Sequence, residues 1–339
     1  MSSRRSILAI LAISAAAALP SPASAQAQNK LVVAMPTTPP NIVHMPVHIA
    51  NDLGLFKKYG LEIKVIELAG GVYTYRATVS GSADVASASG PFSIVGKAKG
   101  APTKMILSNS PKLEASMVVN DNIKTMADLK GKRIGIQEPG GFADVLAQGV
   151  LRAAKIDKKD VHFVSIATED VPALVANQVD TAILHVEQEM IAKSKVPTLH
   201  AIARLWEIQP NNLYAVMAVT EKTIQDKRAA LQAFVKGHIE ATRLIYTDRA
   251  KVVPIIIKYT KLPVDVVNKA LDFMVEKCIW DPNSGLGPKR VNFTAELMTK
   301  VGNIPEGKTP KYEDLVDLSF ANQAIKELGD YKGPCASAD

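Results

Sequence analysis

LVVAMPTTPPNIVHMPVHIANDLGLFKKYGLEIKVIELAGGVYTYRATVSGSADVASASG, residues 31–90, is the stretch on which the fold turns. It opens on an apolar strand, runs through a Thr/Pro loop, and continues as an apolar helix ending near Gly54. The segment GLFKKYGLEIKVIEL follows, then a Gly-Gly loop, a second helix, and a strand entered through Gly81-Ser-Ala-Asp84. Strands with near-continuous apolar runs belong to parallel sheets covered by helices on both faces.

A second segment echoes the first. Strand 61–68 leads through a helix to Gly81-x-x-Asp84 and the strand DVASA; strand 161–166 leads through a helix at about 171–177 to Asn177-x-x-Asp180 and TAILH. Two such βαβ units predict an α/β chain of two related lobes. The first lobe is expected over 26–120, and the second over 121–211, starting with a short helix and a Gly turn that deliver RIGIQ. Residues 212–339 should return one strand, LYAVMAV (213–219), to the first lobe, paired with ASMVVN (115–120). Helices follow. Leu231, Phe234, Val235, His238, Thr242 and Ile245 have amphipathic spacing; further patterns run over 264–275 and 311–328, with Pro254 and Pro263 breaking the segments between.

The N-terminus predicts export. Arg4 and Arg5 precede an apolar run from Ile7 to Leu19, then Pro20, Pro22 and Ala23-Ser24-Ala25, the parts of a cleavable signal peptide over residues 1–25. Its length of 13 residues falls short of the about 20 that a bilayer core needs. General secretion is favoured, with the twin-arginine route open because of Arg4-Arg5. Cleavage after Ala25 takes the net charge from +7 to +5, since only those two arginines leave with the signal. The remaining positive charge is dispersed and aromatics make up 5% of the chain, which argues against a nucleic-acid binder. An oxidising compartment permits Cys278 and Cys335 to pair and tether the tail; one buried and one free thiol is the alternative.

Motifs that announce chemistry are missing: there is no G-x-S-x-G, H-E-x-x-H, Walker loop or G-x-G-x-x-G. His185-Val-Glu187-Gln-Glu189 reads as a polar loop beyond a strand end rather than a metal site. No catalytic residue, metal or cofactor is therefore expected. Open α/β sheets bind ligands beyond the carboxyl ends of their strands, and that rule selects the candidate contacts. They are Thr37, Thr38, Asn41 and His44 after the first strand; Gly71, Val72 and Tyr73 after the second; Ser87 and Ser89 after the third. In the second lobe they are Gly140, Gly141 and Phe142, where backbone N–H groups at a helix start suit an anion or polar oxygen, and His185. Asp84 and Asp180 are better read as strand-entry residues.

The order and spacing of Gly54-Leu55-Phe56 with Gly60-Leu61, Gly81-x-x-Asp84, Asp128-Leu129-Lys130-Gly131-Lys132 and Val179-Asp180 resemble the periplasmic substrate-binding proteins of the nitrate/taurine/aliphatic-sulfonate type, whose relatives also bind thiamine-pyrimidine precursors. The resemblance covers nearly the whole mature chain. It implies a type II two-lobed binding protein with a two-strand hinge, a monomer that captures a small solute and delivers it to an inner-membrane ABC permease. A periplasmic sensing subunit is the alternative. Eukaryotic thiamine-pyrimidine synthases share the fold, but they are cytosolic and carry a cysteine-rich motif with no counterpart here. Members often have Trp-Glu-Pro where this chain has His185-Val186-Glu187, so ligand specificity does not transfer. The glycine loop with His44, Tyr73 and Arg76 favours an organic anion, aromatic or sulfonate in character.

Overall fold

The computed structural model describes residues 29–167 and 170–336. The expected export signal lies outside the described residues. Among the described residues ten strands form two sheets: β1 (Lys30–Met35), β2 (Glu62–Glu67), β3 (Val85–Ser89), β4 (Thr103–Ser110), β5 (Ala115–Val119), β6 (Arg133–Ile136), β7 (His162–Ser165), β8 (Thr181–His185), β9 (His200–Arg204) and β10 (Ala215–Thr220). The first sheet has the order β2-β1-β3-β10-β4 and the second β7-β6-β8-β5-β9. The two are the same arrangement. In each, one strand pairs in parallel with two neighbours, and another runs antiparallel between the last two: β10, the last strand in sequence, in the first sheet, and β5, the earliest of its sheet, in the second.

The echo in the sequence is physical. Asp84 N–H donates to Val32 O at 2.8 Å, and Asp84 Oδ2 accepts from Val32 N at 2.8 Å. Asp180 does the same to Arg133, at 2.9 and 2.8 Å. Each aspartate thus stitches an entering strand to the central strand of its own sheet, and each also pairs with a cation, Lys227 or Arg133, at 2.8 Å.

One strand assignment changes. β10 does return to the first sheet, but it pairs with β3 and β4 and not with residues 115–120. Those residues are β5, which lies in the second sheet between β8 and β9. The chain crosses between sheets at 111–114 and again at 205–214, and the crossings touch through Tyr214 N–H to Pro111 O at 3.3 Å. β5 is buried throughout and β10 nearly so. Without polar alternation a strand does not declare which sheet receives it.

The C-terminal helices buttress the first lobe. The helix Arg228–Thr247 packs on Met45–Asp52, Leu55–Lys58 and Ser319–Leu328. Phe56 stacks on Phe234 with ring centroids 5.4 Å apart, and a Cβ on Gly237 would come within 2.7 Å of Phe56, so glycine permits the close approach. Trp280 is fully buried and donates its indole N–H to Val43 O at 2.9 Å. The helix Val264–Glu276 instead leans on Val186–Lys195 of the second lobe. Pro254 does not break its segment: it sits inside the helix Arg249–Thr260, where burial of Val252, Ile255 and Ile256 outweighs one missing hydrogen bond. A helix at Pro288–Lys300 was not legible, and the 311–328 pattern divides into Tyr312–Leu315 and Ser319–Leu328. Cys278 and Cys335 are disulfide-bonded, tying the tail to the end of Val264–Glu276. No helix among the described residues is long and apolar enough to cross a membrane.

Candidate functional site

The carboxyl ends of the parallel strands face one another across the crossings, and the loops leaving them surround a cleft. The first lobe contributes Pro36, Thr37, Asn41 and His44 after β1, Gly70 and Gly71 after β2, and Ser87, Ala88 and Ser89 from β3. From the second come Gln137, Glu138 and Phe142 after β6, Asp170 after β7, and His185 at the end of β8. Tyr214 and Ala215, where the second crossing enters β10, form the floor.

Two glutamates of the second lobe bridge to the first. Glu138 Oε1 accepts from Val72 N–H, at the start of the helix Gly71–Val79, at 3.3 Å. Its carboxylate packs so tightly across the gap that a Cβ on Gly70 would stand 2.5 Å from Oε2, and one on Gly141 2.6 Å from Oε1. Glu187 Oε1 accepts from Ile42 N–H at 3.1 Å and from the Asn41 amide at 3.3 Å. In both glutamates Oε2 is buried without a hydrogen-bond partner. Burial, the largest influence, raises both carboxyl groups above their usual range.

The imidazoles differ in charge. His44 is buried, and loss of water together with His185 and His48 lowers its pKa to about 3. It is neutral, with Nδ1 3.2 Å from Asn109 Nδ2 and 3.5 Å from Ser87 Oγ. His185 is equally buried, and burial opposes its charge, but Glu114, bonded directly to Nδ1, with Glu187 and Asp170 behind it, raises the pKa to about 9. His185 is therefore an imidazolium at neutral pH, matched by Glu114. Phe142 lies flat on it, with planes 2° apart and centroids 4.9 Å apart, and Tyr214 leans on Phe142 at 4.8 Å.

Of the residues expected from sequence, Thr37, Asn41, His44, Gly71, Ser87, Ser89, Phe142 and His185 line this cleft. Val72 is buried and contributes its N–H to Glu138. Thr38 is exposed and bonds Glu67; Tyr73 is 45% exposed; neither lines the cleft. Gly140 lines a separate groove beside Phe92, and Gly141 packs on Glu138. The anion site expected at this glycine loop is filled by the chain itself: Gly140 N–H goes to Asp144 Oδ2 at 2.7 Å, Gly141 N–H to Glu138 O at 3.1 Å, and Ala143 N–H to Gln137 Oε1 at 3.4 Å.

Residues 185–189 are also not a loop. β8 passes directly into the helix Val186–Lys195 with His185 as its N-cap. Their acidic side chains diverge, Glu187 toward Asn41 and Glu189 toward Arg204. Glu138 stands two residues before the glycine pair, so its signal was present. Glu114 and Tyr214 belong to the crossings, whose contribution to the cleft required knowing the strand order.

The family described as NMT1/THI5 like matches residues 41–250, which hold β2 to β10 and the cleft loops from Asn41 onward. The chain belongs to this family. Among relatives of this NMT1/THI5-like protein is one of Haemophilus influenzae named for thiamine biosynthesis, 25% identical over 274 residues, 78% of this chain and 84% of that one. Among solved structures, the nitrate-binding protein NrtA of Synechocystis PCC 6803 superposes with a TM-score of 0.74 at 13% identity, covering 89% of this chain and 90% of that one. The alkanesulfonate-binding protein SsuA of Xanthomonas axonopodis pv. citri, bound to MOPS, superposes at 0.67 with 18% identity, covering 85% and 98%. These likenesses establish the two-lobed type II binding-protein fold.

Proposed function

We propose that this NMT1/THI5-like protein is a periplasmic receptor that captures a small organic solute between its lobes and delivers it, chemically unchanged, to an inner-membrane ABC importer. The observation that carries the reading is the cleft itself. Loops from the ends of both sets of parallel strands meet on one aromatic and hydroxyl-lined space, and buried glutamates join its walls. Closure of two lobes about paired crossings is the motion this architecture allows. The names of the SsuA and NrtA structures favour the same role, and with it an organic anion as one ligand class. The thirteen strand-loop residues expected from sequence are proposed contacts to the extent that they line the cleft.

Native mass spectrometry of protein purified under mild conditions, before and after denaturation, tests this. A retained solute of one-to-one stoichiometry, released intact, is the expected result. With that solute added back at 100 times its dissociation constant, unfolding should become harder by about 2.7 kcal/mol. Release of a modified product would instead indicate an enzyme. For delivery, the loaded protein should stimulate ATP hydrolysis by its membrane permease in proteoliposomes, and no stimulation would leave a sensing role.

A further inference from the structure

We propose that the solute is a small planar organic cation bearing N–H donors, of amidinium or guanidinium type, held with its charge against the second-lobe wall at Glu138. The inference rests on the solute-capture reading and replaces the organic anion, which the names of the SsuA and NrtA structures favour, with a cation. Among the described residues that line the cleft there is no lysine or arginine. The cation that acts on Glu138, Arg76, is exposed on the helix Gly71–Val79 and reaches the carboxylate only through its field. His185 is the one charged base in the wall, and Glu114 matches it; His44 is neutral.

Two acidic side chains belong to the cleft, and one of them, Asp170, already accepts from the Gln137 amide at 2.7 Å. Glu138 and Asp170 line the cleft, and Glu187 stands one hydrogen bond behind it through Asn41. Glu138 is 6% exposed, and its Oε2 has no partner while Oε1 holds Val72 N–H. A buried carboxylate oxygen without a donor costs free energy that a ligand N–H would recover. Three backbone donors beside the cleft are already engaged: the Val72 and Ile42 N–H groups by glutamates, and the Gly140 N–H by Asp144.

Shape points the same way. The coplanar Phe142–His185 pair and the neighbouring Tyr214 ring give flat walls. A planar N–H fork against a carboxylate is the strong, directional form of this contact.

The test is calorimetric titration of the purified protein with benzamidinium, its neutral isostere benzamide, and benzenesulfonate, after removal of any retained solute. Benzamidinium should bind, and benzenesulfonate should not compete with it. Glu138→Gln, which keeps the acceptor for Val72, should weaken benzamidinium about tenfold or more and leave the unfolding temperature close to that of the parent. Asp170→Asn provides an independent variant and should also weaken it. Binding of benzamide as tight as that of benzamidinium, or affinity unchanged in both variants, overturns the proposal. Saturable binding of benzenesulfonate alone overturns it while leaving the receptor reading intact. Silence from all three, with no solute found in denatured extracts, overturns both.

Discussion

The two lobes share one topology and differ in what they bring to the cleft. Their sheets have matching strand order, their entering aspartates make matching bonds, and each receives its antiparallel strand directly after a crossing. Yet the first-lobe wall is neutral, built of hydroxyls, glycines, an amide and an uncharged His44, whereas the second carries Glu138, Asp170 and the imidazolium of His185. The first lobe is also thickened by the C-terminal helices. A shared scaffold fixes where the loops converge. The side chains on those loops decide what is recognised, and here recognition by charge resides in one lobe and added support in the other.

The sharpest way to separate the two is to damage each in turn. Trp280→Ala removes a fully buried indole that anchors Val43 of the first lobe, and should lower stability by about 3–5 kcal/mol in denaturant unfolding while leaving the second-lobe wall unaltered. A loss below 1 kcal/mol would show that the buttress is dispensable. Glu187→Ala strips the acceptor from Ile42 N–H and the Asn41 amide. It should cost about 1–3 kcal/mol and shift small-angle scattering toward a more open molecule; an unchanged scattering curve would sever Glu187 from the joining of the lobes.

The third prediction is a pH effect from the charged wall. His185 releases its proton at about 9 in the folded chain and near 6.5 when unfolded. Between those values the native state holds the extra proton, so stability falls as pH rises, by up to about 1.4 kcal/mol per pH unit. The contribution is fully present below 6.5 and gone above 9. Denaturant unfolding across that window should show the slope, and His185→Gln should flatten it. Were the slope to persist in the variant, another group would be responsible.

Much of this architecture was legible because it repeats. Gly81-x-x-Asp84 and Asn177-x-x-Asp180 marked strand entries by a bond that a short acidic side chain can make, and the strand-end rule brought His44, Ser87, Phe142 and His185 together correctly in space. What failed depended on partners distant in sequence. β5 and β10 are apolar along nearly their whole length, so only their neighbours distinguish them. The glycine loop looked like an anion site until Asp144, a turn further on, was seen to fill it. Glu138 was visible as a residue, but its orientation across the gap depends on the absence of a side chain at Gly70, in the other lobe.

The insertion of β10 between β3 and β4 carries a consequence for how the chain is made. Those two strands are complete by Ser110, yet the strand that joins them begins at Ala215. A polypeptide emerging from its N-terminus therefore holds an open slot in its first sheet, with two bare edges, while roughly another hundred residues are synthesised. Such non-local pairing slows folding and leaves strand edges available to other chains. A fragment ending before Ala215 would keep that slot permanently, and the cheapest way to fill it would be with the same strand from a neighbouring copy.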